Sequence, residues 1–124
     1  MAGFLTDAWI ALLDAVARTF SVPTDGHLVV QQIVTDADRE VAYVVELAEG
    51  RLRVRAGRAD DAHVSFVQDR ATARAIARGE LSAQVAFMDG RLRLGGDLRA
   101  VLARASELVA IEDVFAAARE ATTW

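Results

Sequence analysis

Cysteine is absent from this sequence of 124 residues, and proline occurs only once. The absence of cysteine excludes disulfides, thiolate metal ligands and a cysteine nucleophile. No apolar run approaches the 18 residues that a membrane-spanning helix needs. The N-terminus also lacks a basic segment followed by an apolar one, so we expect no secretory signal and a cytoplasmic location.

Histidine and serine, on which many catalytic and metal sites depend, are scarce. The two histidines, His27 and His63, do not stand in a metal-ligand spacing such as H-E-x-x-H. None of the four serines stands in the G-x-S-x-G pattern of a serine nucleophile. We therefore predict surface or strand-edge histidines, no catalytic residue, no metal, no cofactor and no enzymatic activity.

Lysine is missing too, and all fourteen basic residues are arginine. The net charge of −4 conceals an uneven distribution. Residues 1–50 hold two arginines against eight acids, residues 51–93 hold nine against five, and residues 94–124 hold three against five. A basic middle within an acidic protein, with no aromatic residues interleaved among the arginines, argues against binding to nucleic acid.

What the chain has in abundance is apolar residues. They make up 53% of it, and the mean hydropathy is +0.22. A chain of this length suits a single domain, residues 1–124, with one core.

The stretch from Gly79 to Leu102 combines three patterns. A short apolar helical run at 82–88 ends at the turn dipeptide Asp89-Gly90. Residues 91–94 then alternate between arginine and leucine, which is typical of a strand with one buried face. Two glycines are expected to break this strand, and Asp97 stands where the N-cap of a new helix is expected.

The rest of the chain predicts an α+β fold with a five-stranded, mostly antiparallel sheet and helices packed on one face. An amphipathic helix is predicted first, and the polar segment 21–26 ends it. Glu49-Gly50 joins two strands closely enough to form a hairpin. The predicted strands span residues 27–35, 41–48, 51–56, 62–68 and 91–94. The predicted helices span residues 4–20, 70–78, 82–88, 97–108 and 112–122.

Part of this sequence resembles the C-terminal signature of the sterol carrier protein type 2-like lipid-binding domains. The resemblance lies in Gly79-Glu80-Leu81, in Ala86-Phe87-Met88-Asp89-Gly90 and in the basic and apolar alternation from Arg91 to Asp97. It extends back to about residue 27. The resemblance implies the same α+β architecture, with an N-terminal helix within 1–22, a sheet with inserted helices over 27–97, and a C-terminal helical cover over 98–124.

The resemblance also implies an apolar tunnel between the sheet and the helices, in which a fatty acid, acyl thioester, sterol or isoprenoid is carried without catalysis. Burial of an acyl chain contributes about 0.8 kcal/mol per methylene, so such binding needs no polar contact. The residues expected to line the tunnel are Phe66, Ile76, Leu81, Val85, Phe87, Met88, Leu92, Leu94, Val101 and Leu102.

Two stripes of arginine have alternative interpretations. The first is on a predicted strand and the second falls at helical spacing, so each shares one face of its element. They are either solvated faces or a surface that docks transiently on anionic membranes or an acidic partner protein. The two stripes consist of Arg51, Arg53 and Arg55, and of Arg70, Arg74 and Arg78.

Two other functions remain open. The strand at 41–48 is apolar on both faces, which favours a protein-interaction or dimerisation module. An accessory factor that presents lipid or isoprenoid intermediates to a biosynthetic enzyme would use the same pocket. The chain ends in Thr122-Thr123-Trp124 and not in the targeting tripeptide of peroxisomal carriers, so we expect a bacterial, cytoplasmic protein that is monomeric or homodimeric.

Overall fold

The computed structural model describes residues 1–24 and 26–124; Asp25, within the predicted break at 21–26, lies outside the described residues. The helices are α1 (Asp7–Ala17), α2 (Arg70–Ala77), α3 (Ala83–Met88), α4 (Leu98–Ala103) and α5 (Ala105–Ala118). The strands are β1 (Ala2–Gly3), β2 (His27–Asp36), β3 (Arg39–Ala48), β4 (Arg51–Ala56), β5 (Val64–Asp69), β6 (Leu92–Gly96) and β7 (Thr122–Thr123). A 3₁₀ turn, Arg119–Ala121, connects α5 to β7.

Five of the strands form one sheet in the order β4-β3-β2-β5-β6. Within this sheet β2 and β5 pair in parallel, and the other three neighbouring pairs are antiparallel. The predicted α+β class and mostly antiparallel sheet are therefore confirmed. The short strands β1 and β7 pair separately and bring the two ends of the chain together.

The hairpin between β3 and β4 forms where Glu49-Gly50 predicted it. Both turn residues have positive φ angles, 53° at Glu49 and 77° at Gly50, as two-residue hairpins of the right twist require. A side chain at Gly50 is also excluded by packing, because its Cβ would lie 2.8 Å from the Val22 carbonyl oxygen.

The core lies between the sheet and helices α1, α2 and α5. Alternate residues of the central strands face these helices, and they include Val30 of β2, Val45 of β3 and Leu52 of β4, all buried. Trp9 and Leu13 of α1 pack onto them and are each only 1% exposed. This helix-covered face is the one on which a cavity between the layers can form.

The opposite face of the sheet is covered by the chain itself. The connection from β4 to β5, residues 57–63, crosses β3 and β2, where Gly57 N–H donates to Ala42 O and Ala59 N–H donates to Gln31 Oε1. Val44 on this face is fully buried within the single chain. The apolar outer face of β3 therefore needs no partner chain to cover it.

Three predicted boundaries are wrong. The first helix starts at Asp7 and not at residue 4, because Leu5 has a φ of 65°. Strand β6 continues through Gly96, where the glycines were expected to end it; a Cβ at Gly96 would lie 2.5 Å from the His63 carbonyl oxygen, so only glycine allows this pairing.

The third error concerns the C-terminal helices, which divide at Arg104 and not at 109–111, and the last of which ends before Thr122. The buried stripe Glu107, Ile111, Val114 and Ala118 runs without interruption through the expected break, and this continuity keeps α5 helical there. No helix within the described residues is long and apolar enough to cross a membrane.

Candidate functional site

Two adjoining cavities are present: the outer one lies among α2, α5 and residues 79–83, and the inner one lies between the sheet and the helices. The outer cavity has a volume of about 180 Å³ and the inner one about 30 Å³. Both are lined by Ile76 of α2 and Phe115 of α5, so these two side chains stand at the point where the cavities meet. The outer cavity is also lined by Gly79, Leu81, Ser82, Ala83, Glu112 and Arg119. The inner cavity is also lined by Phe4, Trp9, Gln32, Tyr43, Gln68, Ala73 and Ala77.

The end of α2 shapes the mouth of the outer cavity. Gly79 follows the helix with a φ of 77°, which ends it in the left-handed conformation that glycine adopts most easily. Arg119 donates from Nε to the Ala77 carbonyl oxygen at 2.7 Å. A Cβ at Gly79 would lie about 3.0 Å from the Arg119 guanidinium, so glycine is also needed for close packing here.

Aromatic rings surround the inner cavity. The Trp9 ring centroid lies 4.9 Å from that of Phe4, 5.6 Å from that of Tyr43 and 6.1 Å from that of Phe115. Aromatic pairs at such distances favour edge and offset contacts and hold one another in place. The interior therefore offers a rigid apolar wall that belongs to α1, β3 and α5.

Three uncharged polar side chains interrupt this apolar wall. Gln32 lies opposite Tyr43 in the β2–β3 register, and Gln68 Nε2 donates to Gln32 Oε1 at 2.8 Å. Gln68 and Tyr43 are buried, at 7% and 4% exposure. Burial raises the pKa of Tyr43 far above its usual value, so its hydroxyl keeps its proton.

Two of the ten predicted tunnel residues, Ile76 and Leu81, line the cavities. Phe66 packs partly buried against the core, Leu92 is buried, and Leu94 and Val101 are half-buried. The remaining four are exposed on α3 and α4: Val85 at 46%, Phe87 at 43%, Met88 at 75% and Leu102 at 69%.

Sequence reasoning missed the polar and aromatic part of the site. Side chains two residues apart on a strand point to the same face. The side chain of Gln32 in β2 therefore faces inward like that of Val30, and the side chain of Gln68 in β5 faces inward like that of Phe66. The sequence did contain a signal for this part of the site, namely an amide at an inward-facing position on each of two strands. Polar side chains are uncommon on a buried face and often have a functional role there. Trp9 and Phe115 lie within predicted helices, but no local pattern shows which cavity their side chains line.

The two arginine stripes do not form one surface. Arg51, Arg53 and Arg55 alternate with buried Leu52 and Val54 on β4, so they start from the face of the sheet opposite the helices. The Arg53 side chain bends round this edge strand to Asp14 of α1. The second stripe is on α2 in the helical layer. Four of the six arginines form ion pairs with acids of the same chain. These pairs are Arg53 with Asp14, Arg55 with Glu46, Arg70 with Asp36 and Arg78 with Glu80.

The histidines contact one another at the edges of β2 and β5. Their ring centroids are 5.6 Å apart, His27 Nε2 lies 2.8 Å from Glu46 Oε2, and His63 Nδ1 accepts from the Val29 N–H. Across residues 1–24 and 26–124, no group of three or more histidine, aspartate or glutamate side chains could hold a metal ion.

Solved structures of known proteins share this fold. A crystal structure of sterol carrier protein 2 matches with a TM-score of 0.72 and 22% identity, over 94% of this chain and 98% of that one. Palmitated SCP2L2 from Aedes aegypti matches with a TM-score of 0.61 and 23% identity, over 86% of this chain and 90% of that one. A UbiJ-SCP2 ubiquinone synthesis protein matches with a TM-score of 0.56 and 17% identity, over 86% and 94%.

These identities are low, and the structural matches show the fold alone. No curated protein sequence matches the chain. The model of the SCP-2 sterol transfer family, however, matches residues 10–106, which is most of the chain and includes the sheet, α2, α3 and α4. The chain therefore belongs to the SCP-2 sterol transfer family.

Proposed function

We propose that this protein is a non-catalytic carrier that holds an apolar ligand between its sheet and its helices. The observation that carries the proposal is the pair of adjoining cavities, which share Ile76 and Phe115 in their linings and of which the inner one is surrounded by aromatic rings. Membership of a sterol transfer family supports the same function. The ligand classes we propose are fatty acids, acyl thioesters, sterols and isoprenoids.

The size of the cavities implies that the ligand enlarges them. Pockets for small ligands usually measure about 300 to 1,000 Å³, whereas the two cavities together are smaller. Helix α4 has no buried residue, so it can separate from the body at little cost in burial. We propose that α4, the first helix of the predicted cover at 98–124, moves outward when ligand enters, and that Leu94 and Val101 then join the wall.

The exposed apolar residues of α3 and α4 fit the exchange step of this function. Met88 and Leu102 are 75% and 69% exposed, and α3 begins at Ala83, which lines the outer cavity. We propose that these two helices contact a lipid bilayer while ligand passes in or out. Of the arginines in the two stripes, Arg74 is the one that we propose assists, because it is exposed on α2 in the helical layer and makes no ion pair within the described part of the chain.

Native mass spectrometry of protein purified without detergent tests the carrier function. We expect a mass a few hundred daltons above that of the denatured chain, or the same gain after incubation with a mixture of fatty acids, fatty alcohols and sterols. A bare mass both before and after incubation would contradict the proposal. Denaturation of the same sample is the control, since it releases a bound lipid but not a covalent adduct.

A second candidate is an interaction module, either a homodimer or an accessory factor for an enzyme of lipid or isoprenoid synthesis. The exposure of Phe87, Met88 and Leu102 favours it, because apolar groups on one region of a surface often mark a contact site. Light scattering separates the two. A monomer that takes up lipid supports the carrier, and a lipid-free dimer that Met88→Ser dissociates supports the module.

A further inference from the structure

The inner cavity contains hydrogen-bonding groups that the protein itself does not use. Within residues 1–24 and 26–124, Gln32 Nε2, Gln68 Oε1 and the Tyr43 hydroxyl have no protein partner, although Gln68 donates to Gln32. No fully buried polar side-chain atom of the described residues lacks a hydrogen-bond partner. These three groups therefore face the accessible space of the cavity and not closely packed protein.

We infer that the inner cavity binds the polar end of an amphipathic lipid, and that this end is an uncharged hydroxyl or carbonyl group. The inference rests on the carrier function proposed above and specifies its ligand. An amide –NH₂, an amide oxygen and a phenol together offer both donors and acceptors to one oxygen atom. Buried polar groups that stay unpaired are costly, so a ligand oxygen that pairs them is stabilised there.

The size of the cavity restricts the group that it accepts. Its volume of about 30 Å³ suits one water-sized group, for which about 10 to 15 Å³ is the minimum. A phosphate or a sugar is larger than this space, and α4, the helix that we propose moves when ligand enters, does not line the inner cavity. A hydroxyl or carbonyl oxygen fits it, and the apolar chain attached to that oxygen then leads outward between Ile76 and Phe115.

The charges around the cavity exclude a carboxylate at this end. None of the nine residues that line the inner cavity is charged, and an ion buried without a partner is strongly disfavoured. The charged residues among the lining groups, Glu112 and Arg119, both lie in the outer cavity. A fatty acid would thus have to leave its carboxylate at the mouth and lose the contacts with the two amides.

Ligands of equal chain length test the inference. Lauryl alcohol and laurate differ only at the polar end, and laurate is ionised at neutral pH. We expect wild-type protein to bind lauryl alcohol about tenfold more tightly than laurate in a fluorescent-lipid displacement assay, since one or two neutral hydrogen bonds correspond to that ratio. Laurate that binds equally or more tightly would overturn the inference.

Variants assign the preference to these residues. In Gln32→Leu/Gln68→Leu both amides become apolar together, so no partner is left unpaired, and we expect the affinity for lauryl alcohol to fall about tenfold while that for laurate is unchanged. Gln31→Leu is the matched control, because Gln31 is a buried amide of the same strand that faces the opposite side and contacts Ser65. A preference that survives in the double variant would overturn the inference.

Tyr43→Phe removes only the hydroxyl and serves as the second variant if the double variant does not fold. We expect a several-fold loss of affinity for lauryl alcohol and none for laurate. Binding of both lipids without preference would overturn the inference and leave the carrier function standing. Binding of neither lipid would overturn both.

Discussion

Asp14 of α1 accepts a hydrogen bond from the backbone N–H of Val54 on strand β4, at 2.8 Å. The N–H groups of β4 have no neighbouring strand on this side, since β4 is the edge of the sheet. Asp14 also receives Arg53 Nε at 3.1 Å and Arg18 Nη2 at 2.9 Å. One carboxylate thus fixes the first helix to the sheet edge and blocks that edge against pairing with another chain.

The first prediction concerns the stability that Asp14 provides. Burial tends to raise its pKa, but the Val54 N–H and the two arginines outweigh burial and keep the pKa below its usual value of 3.8. A lowered pKa stabilises the fold at higher pH, and this stabilisation disappears as the pH falls through the lowered value. Asp14→Ala should therefore reduce the free energy of unfolding by about 1 to 2 kcal/mol at pH 7, and by much less near pH 3.

Urea unfolding at both pH values measures this difference. Asp61→Ala is the control, because Asp61 is exposed in the loop before β5, and it should have little effect at either pH. If Asp14→Ala lowers the free energy of unfolding by the same amount at pH 3 as at pH 7, the charge of Asp14 does not contribute to stability.

A second acid, Glu107, should control the mobility of the helical cover. It is buried at 9% exposure near the start of α5, accepts from the Ser106 hydroxyl at 3.0 Å and lies 3.5 Å from the Thr24 hydroxyl. Its own backbone N–H, and then Ser106, lower its pKa. We expect Glu107→Gln to lower the free energy of unfolding by about 1 kcal/mol at pH 7 and to accelerate ligand exchange.

Amide hydrogen exchange across α5 and stopped-flow lipid transfer report these two effects. Asp113→Asn removes an exposed charge of the same helix and should change neither. If Glu107→Gln leaves exchange of the α5 amides and lipid transfer unchanged, the cover does not open at the start of α5.

Ile76 should determine access to the inner cavity. It lines both cavities, so a larger side chain there fills the passage between them. We expect Ile76→Trp to weaken lipid uptake at least tenfold, measured by displacement of a fluorescent fatty acid, with a moderate loss of stability from overpacking. Ala71→Trp adds the same indole on the exposed side of α2 and should bind lipid normally; normal uptake by Ile76→Trp would place the ligand elsewhere.

The exposed residues of α3 and α4 should affect transfer and not equilibrium binding. In Met88→Ser/Leu102→Ser, the rate of lipid transfer to vesicles should fall several-fold, because less apolar surface is available to the bilayer. The affinity for lipid in solution should be unchanged. Val109→Ser on α5, where the side chain is 54% exposed, is the control, and a loss of affinity in the double variant would instead make Met88 or Leu102 part of the ligand wall.

Of the arginines, Arg74 should contribute most to docking on anionic membranes. A charge near such a membrane contributes about 1 kcal/mol, and Arg74 is exposed on α2 and free of ion pairs within the described residues. Arg74→Gln should slow transfer to anionic vesicles and not to neutral ones. Arg51→Gln, on strand β4 of the sheet, should not change the rate of transfer. Equal effects of the two variants on this rate would count against a docking surface that includes Arg74.

Local features of the fold could be predicted from the sequence because they depend on near neighbours. Asp97 caps a helix as expected and accepts from the Arg99 backbone N–H. Thr6, Asp69 and Ser82 cap helices in the same way, each accepting from a backbone N–H three residues ahead. The hairpin at Glu49-Gly50 is of the same kind, since its strands are adjacent in the chain.

Features that depend on distant residues could not be predicted. The parallel pairing of β2 with β5 joins segments 34 residues apart, as at Val30 and Val64, and no period in the sequence records it. The continuation of β6 through Gly96 depends on the approach of His63, which only the folded chain brings close.

In the candidate site, too, local features could be predicted and contacts between distant residues could not. Several apolar residues of 79–102 were expected to line a tunnel, but Val85, Phe87, Met88 and Leu102 are exposed on α3 and α4 and line neither cavity. The cavities instead bring together α1, β2, β3, β5, α2 and α5. Gln32 and Gln68 are in contact because β2 and β5 pair in a particular register. The alternation within each strand predicts that both amides face inward, but it does not predict that they are neighbours.

The most direct test of the account is to locate a bound lipid by NMR. Isotope-filtered NOEs between a ¹³C-labelled fatty alcohol and the protein should connect the lipid to the rings of Trp9, Tyr43 and Phe115. NOEs confined to the exposed side chains of Met88 and Leu102 would contradict the account, because they would place the ligand on the surface of α3 and α4 and not between the sheet and the helices.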